Sequence, residues 1–242
     1  MKRWRYHTAA DLEQPMIERL RNFPRKPDIS VYLMRSFAAL CVRAWLRLYH
    51  RYEITGMENL PAKGSFVIVA NHSSHLDAPC LVSALPFRKL HRVFPAAAAD
   101  YFFQSVPGIW LAAVVVNALP FSRQLHIRQS IALCEKLIET PGNVLVIFPE
   151  GTRTVTGGMG AFKPGIGALL AGRQIPVIPC HLEGAYAAWS RHHSIPRPRK
   201  LKLVIGPPRF YQQLTPGKES SATIAKDLEN AVRELASRHE NR

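Results

Sequence analysis

The sequence predicts a single α/β domain with a mixed, mostly parallel sheet flanked by helices. Three observations carry that prediction. Short continuous apolar runs, Ser65–Ala70 and Asn143–Phe148 among them, have the length and β-branched content of strands buried on both faces. Stretches of helical periodicity alternate with these runs, as crossover connections between parallel strands require. The chain has 242 residues, 47% of them apolar, enough for one sizeable core. No repeat, low-complexity tract or linker divides it.

Residues 1–28 are basic and punctuated by Pro15, Pro24 and Pro27. Asp28 or Ser30 offers an N-cap for a helix running to about Tyr52. Arg43, Arg47 and Arg51 fall within roughly 80° of one another at about 100° per residue, while Leu33, Phe37, Leu40 and Trp45 lie mostly elsewhere. An apolar helix with an arginine edge suits a membrane interface. It equally suits a helix packed on the core with a solvated basic edge. After the Ser65–Ala70 strand, Ala78–Leu85 reads as a helix. The uncharged stretch Tyr101–Ser122 is long enough to span a bilayer by count. However, Gln104, Ser105 and Asn117 are polar, and Pro107 and Pro120 break a helix, so buried structure or a membrane-dipping surface is expected. Ile127, Ile131, Cys134 and Ile138 keep helical spacing up to a stop at Pro141-Gly142. The Asn143–Phe148 strand follows, then a helix at Gly165–Gly172 and a strand at Ile175–Cys180. Lys200–Gly206 alternates like an edge strand. Ser221–Glu240 is an amphipathic helix with Ile224, Leu228, Val232 and Leu235 on one side. The expected organisation is a basic segment and membrane-interface helix over 1–54, a core over 55–212, and a C-terminal helix over 213–242 packed on that core.

The chain carries 32 Lys+Arg against 17 Asp+Glu, a net charge of +15, which calls for a negatively charged partner. Its cations are not interleaved with aromatics as in a single-strand nucleic-acid binder, so no nucleic-acid partner is expected. Cys41, Cys80, Cys134 and Cys180 sit apart in apolar sequence without metal-ligand spacing, and read as reduced, buried hydrophobes of a cytoplasmic protein. Met1–Pro15 has no apolar signal region.

The stretch Val69–Cys80, "VANHSSHLDAPC", carries the first candidate chemistry. A neutral His72 can accept a proton from an alcohol, and Asp77 can hold its other ring nitrogen in the right tautomer. Five residues apart, the two would not share a helix face, so His72 must lie in the strand-to-helix turn. Two other readings remain. His72, His75 and Asp77 form H-x-x-H-x-D, with ligand types that suit zinc, although no further cluster supplies the remaining ligands. Alternatively Asn71 or Ser73 simply caps a helix whose N-terminus favours Asp77. Ser73 and Ser74 adjoin His72, but no G-x-S-x-G elbow exists, and Cys180-His181 face opposite ways on a strand.

A second motif, Val144–Thr154, "VLVIFPEGTRT", is a strand ending in a polar turn. Gly151 permits a left-handed turn, and Arg153 offers a fork of donors suited to phosphate. Thr152 and exposed amides can add to it, and Lys163 in "FKPG" supplies a further cation. Glu150 can fix the Arg153 guanidinium or bind a substrate hydroxyl. A purely structural Glu–Arg bridge is the alternative.

Asn71-His72-Ser73-Ser74-His75-Leu76-Asp77 followed by Phe148-Pro149-Glu150-Gly151-Thr152-Arg153 resembles the glycerolipid acyltransferases, and within them the 1-acylglycerol-3-phosphate O-acyltransferases. Leu119-Pro120-Phe121-Ser122-Arg123 and Ile175-Pro176-Val177-Ile178-Pro179 are similar to two further blocks of that family, and the resemblance covers roughly residues 55–210. It implies transfer of an acyl group from a thioester, acyl-CoA or acylated carrier protein, to the hydroxyl of a lysophospholipid, giving phosphatidic acid. It implies His72 as base and Asp77 as its orienter. Glu150, Gly151, Thr152 and Arg153, with Arg123 and Lys163, would bind the acceptor's phosphate end. No metal, no cofactor and no covalent acyl-enzyme are implied. The expected partners are membrane phospholipids, the lysophospholipid acceptor and the acyl donor, and the expected location is the cytoplasmic face of a membrane. Acylation or transacylation of another lysolipid shares these motifs. A non-catalytic basic membrane-binding module is the reading from another class.

Overall fold

Phe66–Ala70 is buried at every position, which a strand achieves only when both faces of its sheet are covered. Its side chains divide by parity between two cores. Phe66, Ile68 and Ala70 face one together with Val144, Val146, Ile178 and Cys180. Val67 and Val69 face the other with Leu145 and Val177.

The computed structural model describes residues 29–98, 119–121 and 127–240. The sequence readings for residues 1–28, and for Tyr101–Ser122 apart from residues 119–121, lie outside the described residues. In chain order the elements are α1 (Ile29–Tyr49), β1 (Glu53–Thr55), β2 (Phe66–Ala70), α2 (Asp77–Ser83), β3 (Val93–Ala98), β4 (Leu119–Phe121), α3 (Ile127–Glu139), β5 (Val144–Ile147), α4 (Gly165–Leu170), β6 (Val177–Glu183), α5 (Ala185–Trp189), β7 (Lys202–Ile205) and α6 (Lys218–Glu240). Short 3-10 turns occupy Met57–Asn59 and Phe87–Arg92. The seven strands form one sheet in the order β1-β7-β6-β2-β5-β3-β4. All neighbours run parallel except β6 and β7. One core takes Leu46 of α1, Leu81 of α2 and Ala185 of α5, and the other takes Cys134 of α3, Leu169 of α4 and Ile224 of α6. Helices therefore cover both faces of a mixed, mostly parallel sheet.

Two boundaries differ from the sequence reading. Lys200–Gly206 is not an edge: β7 lies between β1 and β6, and the outer position belongs to β1. Only the start of that run carries lysines, and Leu203, Val204 and Ile205 are buried. The first helix ends at Tyr49 rather than near Tyr52 because Arg51 adopts a left-handed φ of 48°, and the Tyr52 N–H turns back to the Leu46 carbonyl at 3.1 Å.

α4 crosses α6 at Gly167, where an added Cβ would land on the Ser221 backbone. Gly167→Ala should therefore destabilise the protein by about 1–3 kcal/mol through overpacking. Helix propensity alone would gain about 1 kcal/mol. Urea unfolding followed by circular dichroism measures the sign.

Candidate active site

β6, β2 and β5 are adjacent and parallel, with Ala70 opposite Cys180 and Val69 opposite Ile147. Their carboxyl ends therefore open on the same edge, the usual location for ligands in such sheets. This register brings together two motifs far apart in sequence.

Asn71 opens the first loop and continues the strand pairing with its side chain. Its Nδ2–H donates to the Leu182 carbonyl at 3.0 Å, and its Oδ1 accepts from the Leu182 N–H at 2.8 Å. The chain then wraps the fully buried carboxylate of Asp77. Asp77 Oδ2 accepts from His72 Nδ1 at 2.8 Å, from Ser73 N–H at 2.6 Å and from Ser74 N–H at 2.8 Å. An Nδ1 proton given to Asp77 leaves the lone pair on Nε2, the tautomer a base needs. The His72 side chain is 20% exposed and stacks on Phe148 with centroids 4.2 Å apart. So His72 lies in the strand-to-helix turn and Asp77 is the first residue of α2, as the spacing required. The capping alternative is not realised: the N-cap position is Leu76, which makes no side-chain cap.

The second motif is hung on the first. Glu150 is buried, and its Oε1 accepts from the His72 N–H at 2.7 Å while its Oε2 accepts from the Gly160 N–H at 2.8 Å. The Thr154 N–H donates to the His72 carbonyl at 2.9 Å. Burial raises the Glu150 carboxyl above its ordinary range, against the pull of those two amides. Glu150 thus does not fix Arg153, as the sequence reading offered; it binds backbone from two loops. Arg153 instead donates from Nη1 to His75 Nε2 at 2.6 Å. His75 lies 5.0 Å from the Trp189 ring, centroid to centroid, and its N–H donates to the Trp189 carbonyl at 3.3 Å. The metal alternative needs His75 beside His72, but its Nε2 is engaged by Arg153. Ser74 is engaged too, its Oγ–H donating to the Trp189 carbonyl at 2.7 Å.

Gly151 takes a φ of 74°, and a Cβ there would sit 2.7 Å from Lys163 Nζ, so the ammonium lies against the glycine. Thr152 and Lys163 are exposed and Arg153 is half-buried. Arg123 lies outside the described residues. The edge thus combines an oriented imidazole, an arginine and a lysine, which suits a hydroxyl-bearing substrate with an anionic end. Sequence reasoning missed His75 as the partner of Arg153, the Phe148 ring under His72, and Gly160 as a ligand of Glu150. Only the aromatic just before Pro149 carried a readable signal.

The acyltransferase family profile matches residues 51–183. The 1-acyl-sn-glycerol-3-phosphate acyltransferase of Bacillus subtilis (strain 168) is 29% identical over 207 residues, covering 84% of this chain and 96% of that protein. The enzyme of the same name from Pseudomonas aeruginosa is 32% identical over 162 residues, which is 65% of this chain and 58% of its own length. The crystal structure of the 1-acyl-sn-glycerophosphate acyltransferase PlsC from Thermotoga maritima superimposes with a TM-score of 0.65 at 22% identity, over 90% of this chain and 85% of that one. The fold is shared with that structure.

Burial, helped by Arg153, pushes the His75 imidazole down from 6.5 to about 4. A histidine with a depressed folded value contributes stability that is complete above its ordinary value and lost as pH falls towards the folded one. NMR titration should show His75 neutral throughout pH 5–7. The parent should lose stability between pH 6.5 and 4, and His75→Gln should flatten that part of the curve.

Proposed function

The chain belongs to the acyltransferase family, and on that premise we propose that it transfers a fatty acyl group from a thioester donor to the free hydroxyl of 1-acylglycerol 3-phosphate, giving phosphatidic acid. The observation that carries this reading is the contact of 2.8 Å between His72 Nδ1 and Asp77, made by the residue whose backbone N–H anchors the Glu150 loop. The named activity of the Bacillus and Pseudomonas relatives supports the choice of acceptor.

In this mechanism His72 Nε2 takes the acceptor's hydroxyl proton as the oxygen attacks the thioester carbonyl. A C–O bond forms, the C–S bond breaks, and the imidazolium returns the proton to the leaving thiolate. Asp77 stabilises that imidazolium through Nδ1. General base catalysis supplies about 10²–10⁴ in rate, and fixing two substrates together supplies much of the rest. Arg153, Lys163, Thr152 and the Gly151 turn bind the acceptor phosphate, with Arg123 as a further cation. Glu150 serves them by holding their loop against His72.

Among the described residues no helix is long and apolar enough to cross a membrane. α1 is the lipid-contacting element in our reading. Leu33, Phe37 and Leu48 are 68%, 69% and 81% exposed, while Arg35 is only 6% exposed. These apolar residues share one arc of about 60° at 100° per residue, too exposed to be core. Arg43 donates to the Leu85 carbonyl and lies over the Phe87 ring at 3.8 Å, so it belongs to the packing and not to the lipid face. Arg47 and Arg51 are exposed and meet anionic headgroups, each contributing about 1 kcal/mol.

His72→Ala should lower turnover by about 10²-fold or more while the far-UV spectrum stays unchanged. An acyl-transfer assay with 1-acylglycerol 3-phosphate and mass-spectrometric product identification measures it, and turnover within threefold of the parent would remove His72 from the mechanism. Phe37→Asp with Leu40→Asp should abolish flotation with anionic vesicles at every salt concentration. Arg47→Gln with Arg51→Gln should weaken flotation and reduce its salt dependence. If all four substitutions leave flotation intact, another surface meets the lipid.

A further inference from the structure

We infer that His75 is a positioning residue for the acceptor: its ring nitrogen aims the Arg153 guanidinium at the acceptor's phosphate. The inference rests on the acyl-acceptor reading above and names a residue which that reading leaves without a role.

The contact is directional. An arginine always donates, so His75 Nε2 must offer a lone pair, and the ring must be neutral with its proton on Nδ1. The pair is an oriented hydrogen bond of 2.6 Å between a cation and a neutral acceptor, not an ion pair. A carboxylate in the same place would neutralise the guanidinium and compete with phosphate. An imidazole steers Arg153 and leaves its charge intact. The ring is fixed in turn from the helix that follows β6: Trp189, at the end of α5, packs beside it, and its carbonyl accepts from both the His75 backbone N–H and Ser74 Oγ.

The placement matches the task. His72 and His75 belong to the same loop, so the base and the group that aims the phosphate ligand share one rigid frame around Asp77. A phosphate held by Arg153 then sits at a defined distance from the base. Without this anchor, a long side chain rich in rotamers must be ordered anew at each binding event, at a cost expressed in KM.

Among the described residues, the charged or titratable groups facing His75 are His72 and Asp77 from its own loop, which oppose each other, and Arg153 from the β5 loop. Protonation would place a second cation against Arg153 and break the hydrogen bond.

The experiment compares the parent, His75→Phe and His75→Gln, each with 1-acylglycerol 3-phosphate and with a monoacylglycerol lacking the phosphate. Phenylalanine keeps the packing on Trp189 but removes the acceptor, and glutamine restores an acceptor oxygen. His75→Phe should raise the KM of the phosphate-bearing acceptor about three- to tenfold while kcat changes by less than threefold, and leave the KM of the phosphate-free acceptor alone. His75→Gln should recover at least half of the KM effect on a logarithmic scale. In side-chain ¹⁵N–¹H spectra, the Arg153 guanidinium signal should sharpen in the parent and in His75→Gln, and broaden in His75→Phe. Equal loss with both acceptors, or an unchanged KM with the phosphate-bearing one, overturns the inference while the acyl-acceptor reading stands. A parent that shows no preference for the phosphate-bearing acceptor overturns that reading and the inference with it.

Discussion

A single buried carboxylate organises this molecule. Asp77 is fully buried, and a buried charge costs several kcal/mol unless hydrogen bonds surround it. Three donors converge on Oδ2: the His72 ring and the Ser73 and Ser74 amides. Satisfying them dictates the path of residues 72–77, and hence the direction in which the imidazole points. The loop has little freedom to relax, because Asn71 locks its start to β6 and Ser74 locks its middle to α5. Orientation of the His72 imidazole is thus a consequence of electrostatics in a low-dielectric environment and not of the hydrogen bond to histidine alone.

A second buried carboxylate repeats the strategy one strand away. Glu150 accepts one amide from the His72 loop and one from Gly160, so the turn proposed to bind the acceptor is registered to His72 through backbone. The far side of that turn is docked on α6, where Glu229 accepts from the Phe162 N–H at 3.1 Å and is bridged by Arg233 at 3.1 Å. The positive groups Arg153 and Lys163 therefore stand on a frame tied at both ends. Such preorganisation matters because the two loops are distant in sequence and are joined by only a few hydrogen bonds above the parallel strands, and a misplacement of about 1 Å can cost 10²-fold in rate.

The sequence made β2, β5 and β6 legible because each is a continuous apolar run, the mark of a strand covered on both faces. β1 and β4 are three residues long, too short for any period to register, and β3 contains Pro95, which argues against an interior strand. The His72–Asp77 pairing was legible from residue type and spacing, once the preceding strand put His72 in a turn. The partners of Glu150 were not, because backbone amides carry no residue signature. The Arg153–His75 contact was hidden for a different reason. It joins two loops 78 residues apart through an arrangement that only the β2–β5 register creates.

α1 shows how one element can serve two environments. Its exposed residues include Leu33, Phe37, Leu40 and Leu48 beside Arg47, yet its buried side includes Leu46 and the guanidinium of Arg35. Its C-terminal turn is tied to the segment after α5, with Tyr49 Oη donating to the Pro196 carbonyl at 3.1 Å and His50 Nδ1 lying 3.2 Å from the Arg199 carbonyl. That segment begins at Trp189, which packs against His75. The helix proposed to touch lipid is therefore coupled, through a few hydrogen bonds, to the loop that carries His72. In the arrangement proposed above, with α1 in the interface, its C-terminal end is at the same edge of the sheet as His72. A lysolipid can then present its glycerol hydroxyl and phosphate to the site while its acyl chain stays in the membrane. The cost of moving a long apolar chain into water, about 0.8 kcal/mol for each methylene, never enters the barrier.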